Sequence, residues 1–165
     1  MRAVLVLALA ASLVTFASAA TVDPTEVWKP MHSFIGTWRA TRPANGGNVK
    51  VTRVYASAST NHHLEITEKS GGNAQAVWGV VSFDPARQAL ILRHFAPDGS
   101  ASDVALDTAA STEDQLIFAS PETETTRTRI TYSRSGWNAF VEKVELAGAS
   151  GTFAVVSETQ FERKN

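Results

Sequence analysis

The sequence predicts an all-β fold: about ten antiparallel strands closed into an up-and-down barrel and entered through one short helix. Three observations carry that prediction. Clusters of turn-forming residues recur about every ten positions after Phe34. The segments between them alternate apolar with polar side chains and are rich in β-branched and aromatic residues, as in Val49-Lys50-Val51-Thr52-Arg53-Val54-Tyr55. Finally, no stretch between Phe34 and Asn165 keeps a helical period over three turns, which removes the α/β folds, dinucleotide-binding and hydrolase folds among them.

Met1 to Ala20 differ in character from the rest of the chain. Arg2 precedes an apolar run from Ala3 to Phe16, and Ala17-Ser18-Ala19-Ala20 closes it with an A-x-A cleavage pattern. The run is shorter than the roughly 20 residues that span a bilayer. The expectation is a signal peptide over 1–20, a barrel domain over 21–165, and an exported protein, periplasmic or secreted, with no stable membrane anchor. The 165 residues carry 15 basic and 16 acidic side chains, a net charge of −1, and no cysteine. That near-neutral balance speaks against a nucleic-acid partner, and the missing thiols exclude disulfide scaffolds, thiol catalysis and thiolate zinc sites.

The helix begins at Asp23-Pro24-Thr25-Glu26, where Asp23 caps the first amides, Pro24 suits the first helical position and Glu26 reaches back to the cap. Pro30 is expected to limit it to a few residues. The turns then fall at Asn45-Gly46-Gly47, Ala56 to Thr60, Gly71-Gly72-Asn73, Asp84 to Arg87, Pro97-Asp98-Gly99, Ala109 to Asp114, Ser120-Pro121-Glu122, Ser135-Gly136 and Ala147 to Gly151. Connections this short make antiparallel hairpins, because a parallel crossover needs a dozen residues or more. Alternation places Leu64 and Ile66 opposite His63, Glu65 and Thr67. It places Phe140, Val144 and Leu146 opposite Lys143 and Glu145, and Phe153, Val155 and Phe161 opposite Glu158, Gln160 and Glu162. Ala76 to Phe83 and Ala89 to Phe95 are apolar on both faces and take no orientation from alternation.

At Phe34-Ile35-Gly36-Thr37-Trp38 a short helix leads into G-x-W on the first strand. This resembles the calycin barrels, the lipocalins and fatty-acid-binding proteins. The ending Gln160-Phe161-Glu162-Arg163-Lys164 resembles the close of a family of uncharacterised bacterial calycin-like β-barrel domains. The resemblance implies that Gly36 and Trp38 close one end of the barrel, with Arg163 stacked on the Trp38 indole. Lipocalins have eight strands and a C-terminal helix, and fatty-acid-binding proteins insert a helix pair after the first strand. Here only Asn45-Gly46-Gly47 separates the first two strands, so the arrangement looks most like the haem-binding nitrobindin-like barrels. That family binds haem through a late His, whereas His32, His62, His63 and His94 all lie early in this chain. The fold is carried over and the haem is not.

Catalytic signatures are absent. His63-Leu64-Glu65 matches the H-x-E of zinc deaminases without their cysteines, and no nucleophile elbow, P-loop, H-E-x-x-H or dinucleotide fingerprint occurs. His62 and His63, adjacent on a strand, point to opposite faces and cannot comfortably share an ion. Arg127 and Arg129 lie in a threonine-rich strand that reads as a solvated face. The expectation is therefore a binding protein and not an enzyme, with no metal and no cofactor. Its candidate ligand-binding residues are polar groups on apolar inward faces: Arg53, Tyr55, His62, His94, Tyr132 and Glu142. Arg53 is able to clamp a carboxylate or to pair with Glu142. The expected partner is a small apolar or amphipathic molecule. The competing readings are a barrel filled with its own side chains, serving as a structural or interaction module, and haem binding without the usual His.

Overall fold

The computed structural model describes residues 24–44, 46–58, 63–72, 76–95 and 98–164. One helix, α1 (Pro24–His32), precedes ten strands: β1 (Gly36–Ala44), β2 (Gly47–Ser57), β3 (His63–Ser70), β4 (Ala76–Asp84), β5 (Ala89–Phe95), β6 (Ala101–Leu106), β7 (Gln115–Ala119), β8 (Arg127–Arg134), β9 (Ala139–Ala147) and β10 (Phe153–Arg163). Each strand pairs antiparallel with the next, and β1 pairs with β10, which closes the barrel. Among the described residues no helix is long and apolar enough to cross a membrane. The expected cap Asp23 and the 1–20 segment lie outside the described residues.

Helix α1 runs through Pro30 rather than stopping there. Proline this close to the C-terminus costs one amide bond, to the carbonyl of Glu26, in an exposed turn. Packing offsets that loss, because Trp28, Met31 and Phe34 are buried in the core cluster. The helix covers the end of the barrel where β1 begins and β10 finishes. There Phe34 meets Tyr132 and Phe140 edge-on at 5.4 and 5.1 Å, Trp38 meets Phe140 at 4.8 Å, and Phe140 stacks on Phe161 at 4.9 Å.

Two bulges change which side chains face inward. In β10 the register shifts between Val155 and Ser157, so Phe153 and Val155 do not share the face of Phe161. Val155 and Val156 are exposed, whereas Thr159 and Phe161 are buried. Strict alternation fails there because a bulge spends one extra residue and inverts the parity behind it. The second register shift, between Ile66 and Thr67 of β3, opposes Gly79 and Val77 and leaves Trp78 as the extra residue in β4. Glycine is required at position 79, since a Cβ there would lie 2.8 Å from the Arg93 carbonyl oxygen.

Candidate functional site

A charged layer crosses the barrel interior above the aromatic plug. Its centre is Arg53 on β2, fully buried at 0% exposure, with Glu142 of β9 at 1% and Glu68 of β3 at 12%. Arg53 donates from Nε and Nη2 to Glu68 Oε2 at 2.9 and 2.6 Å, and from Nη2 to Glu142 Oε1 at 3.1 Å. Its Nη1 donates to Glu142 Oε2 and, at 3.4 Å, to the Tyr55 hydroxyl. Arg42 of β1, 26% exposed, completes the layer. It donates to Glu68 Oε1 at 2.7 Å, to Thr159 Oγ1 at 2.9 Å and to Glu142 Oε1 at 3.4 Å. Two guanidinium groups thus face two carboxylates, and the layer is neutral as a whole.

Aromatic rings cover the faces that the carboxylates leave open. The Arg53 guanidinium carbon lies 4.0 Å from the Trp78 ring centroid and 4.6 Å from that of Phe161. Such desolvated cation–π contacts favour arginine over lysine, because the planar group presents two flat faces and a hydrogen-bonding edge at once. Arg53 is therefore held by Glu142 and Glu68 and faces no open space for a ligand carboxylate.

The surroundings set the protonation states. Burial works against the Arg53 charge, but Glu142 and Glu68 outweigh it and hold its pKa well above the ordinary value. Burial pushes the Tyr55 hydroxyl up to about 12 and that of Tyr132 well above its usual range, so both stay protonated. The Tyr132 hydroxyl is fully buried against that of Tyr55, in a geometry short of a full hydrogen bond. His94 of β5 lies 4.5 Å from Trp78, ring to ring, and its pKa is lowered by burial against the opposing pull of Glu142.

Five of the six candidate binding residues converge on this layer or its neighbourhood: Arg53, Tyr55, His94, Tyr132 and Glu142. His62 lies outside the described residues. Three further members were not singled out by sequence. Arg42 shares parity with Trp38 and Ala40, and Glu68 with Leu64 and Ile66, so alternation held the signal for both. Trp78 turns inward at a bulge, which alternation does not reveal.

At the covered end the Arg163 guanidinium lies 4.3 Å from the Trp38 ring centroid. It donates to the carbonyls of Ser33 and Ile35 at 2.7 and 2.9 Å, and so ties the α1–β1 link to β10. Gly36 beside it has φ +132°, and a Cβ there would lie 2.8 Å from Arg163 Nη1. On the outer face Arg129 pairs with Glu145 at 2.8 Å and Arg127 donates to the Gly151 carbonyl at 2.9 Å, so both charges are engaged. Trp28 is in the core, whereas Trp137 is 69% exposed in the β8–β9 connection.

No protein-family model matches the chain, and no curated protein matches it at a significant level.

Proposed function

We propose that this is an exported small-molecule-binding barrel whose apolar or amphipathic ligand sits in the half of the interior distal to α1, upon the charged layer. One observation carries the reading. Inward-facing Trp78, His94, Val144 and Leu146 remain partly exposed above a layer whose own hydrogen-bonding capacity is satisfied, leaving an apolar and aromatic wall without full cover. A site with mostly apolar walls and few polar groups suits such a ligand. Each buried methylene contributes about 0.8 kcal/mol, so an apolar chain of about ten carbons supplies the roughly 8 kcal/mol of micromolar affinity. Export rests on the 1–20 segment, and kinship with the calycin-like barrels rests on G-x-W and the final strand.

A second reading has its own support. From Phe34 up to Arg53 the described interior is occupied by side chains, as in a filled barrel that serves as a structural or interaction module. Native mass spectrometry of the exported protein, together with titration of a fluorescent fatty-acid probe, separates the two. The binding reading expects a carried small molecule or micromolar probe affinity that Leu146→Asp weakens at least tenfold. Neither a carried molecule nor probe binding would leave the filled barrel. The same sample, titrated with haem, tests the remaining alternative through a Soret band.

A further inference from the structure

The barrel is not closed equally along its height. Strands β1 and β2 pair from Gly36–Tyr55 to Ala44–Gly47, and β9 and β10 from Glu162–Ala139 to Phe153–Ala147. Between β1 and β10 only two pairs form among the described residues, Trp38–Arg163 and Arg39–Glu162, both at the α1 end. On the opposite side, β6 and β7 likewise share only Ala105–Ala119 and Leu106–Phe118. The sheet therefore consists of two leaves, β1–β6 and β7–β10, joined by backbone near α1 and not so joined towards the other end.

Side chains close what the backbone leaves open. Arg42 comes from one leaf, and its bonds to Thr159 and Glu142 reach the other. Outside the seam, starting where pairing stops, lies a groove of about 750 Å³ lined by Arg39, Thr41, Lys50, Thr52, Gln160 and Glu162. Both banks resist pairing with a further strand. Pro43 removes an amide donor from β1, and the bulge at Val155/Ser157 interrupts the edge of β10. These devices disfavour an added peptide strand and keep the seam dependent on Arg42.

We propose that the β1–β10 seam is a lateral gate latched by Arg42, through which a slender amphipathic molecule reaches the interior beside Trp78. The gate stands on strand pairing alone; its passenger rests on the binding function proposed above. Opening breaks the Arg42 bonds to Thr159 and Glu142, while the buried Arg53–Glu142 pair below holds the leaves together.

Hydrogen exchange on the full chain tests the gate without a ligand. Thr159→Val removes one latch bond and Arg42→Met removes the latch. Both are expected to speed exchange at least fivefold in peptides covering 40–44 and 153–160, leaving β5 and α1 unchanged. No change at the seam, or an equal rise throughout the barrel, would overturn the proposal. Thr159→Val keeps this test readable should Arg42→Met fail to fold. A second arm tests passage. Extending the Arg39–Glu162 register brings Thr41 opposite Gln160, and Thr41→Cys with Gln160→Cys adds the only thiols to a chain without cysteine. Oxidising this pair is expected to slow association of 1-anilinonaphthalene-8-sulfonate at least tenfold, with recovery on reduction. Equal rates would refute lateral entry. A probe that binds neither form nor the unmodified protein would count against the binding function instead, and the exchange result then decides the gate.

Discussion

Replacing Glu142 with alanine would remove an acceptor that the Arg53 and Arg42 guanidinium groups share. Arg53 is fully buried and would keep Glu68 as its one carboxylate partner, while Arg42 would lose its longest contact. Breaking a buried ion pair by deleting one partner costs about 3–5 kcal/mol, since the remaining charge stays desolvated. For a domain of this size each kcal/mol lowers Tm by about 3 °C, so Glu142→Ala should melt about 9–15 °C lower. Urea unfolding followed by tryptophan fluorescence measures the loss directly, and a domain with about 5–15 kcal/mol of stability tolerates it. The double variant Arg53→Met, Glu142→Leu supplies the control. It leaves Arg42 with Glu68 as a balanced pair, and replacing a whole buried pair with apolar groups is often neutral. It should therefore be more stable than Glu142→Ala alone. A loss below about 1 kcal/mol for Glu142→Ala, or a double variant no better than the single, would refute this account of the layer.

Three further outcomes rest on the same geometry. Tyr132→Phe deletes a buried hydroxyl that makes no full hydrogen bond and should raise stability by up to about 1 kcal/mol in urea unfolding; a loss would mean that its contact with the Tyr55 hydroxyl is a working hydrogen bond. Gly36→Ala forces a Cβ into a left-handed backbone beside Arg163 and should cost about 1–3 kcal/mol, read from the unfolding midpoint. His94 has a native pKa below its ordinary 6.5, so under that pH the unfolded chain binds the proton first. Its contribution is complete above 6.5 and is lost as pH falls towards the lower native value, so His94→Gln should show a shallower drop in Tm between pH 7 and 5 than the unmodified protein.

The strand count and the turn positions were legible because turns impose residue types: Gly46, Gly71, Gly99, Gly136 and Gly151 all adopt positive φ at connections. The covered end was legible only through the resemblance that Gly36, Trp38 and Arg163 carry; the structure gives their roles a physical basis in a missing Cβ, a flat ring and a forked cation. The charged layer was legible only in part. Arg53 and Glu142 stood out as polar residues on apolar faces, but their pairing joins β2 to β9, and sequence spacing carries no information on that distance. Glu68 and Arg42 had the correct parity, yet each reads as an ordinary surface charge until the barrel curves them inward. Phe153, Val155 and Trp78 were beyond alternation, because a bulge changes parity; in β10 no distinctive residue announces it, and in β4 the only mark is Gly79 beside Trp78.

The contact between Arg163 and Ile35 joins positions 128 apart in the chain. It belongs to the short seam where β1 meets β10, so closure of the barrel awaits synthesis of β10. Every other neighbouring strand pair is a hairpin that forms as soon as its own residues are free, but Trp38 has no Arg163 to meet until the final strand has left the ribosome. Long-range closure of this kind is slow relative to local pairing. The nascent chain thus remains a curled, open sheet, with the edge of β1 unpaired, until β10 arrives to complete the ring.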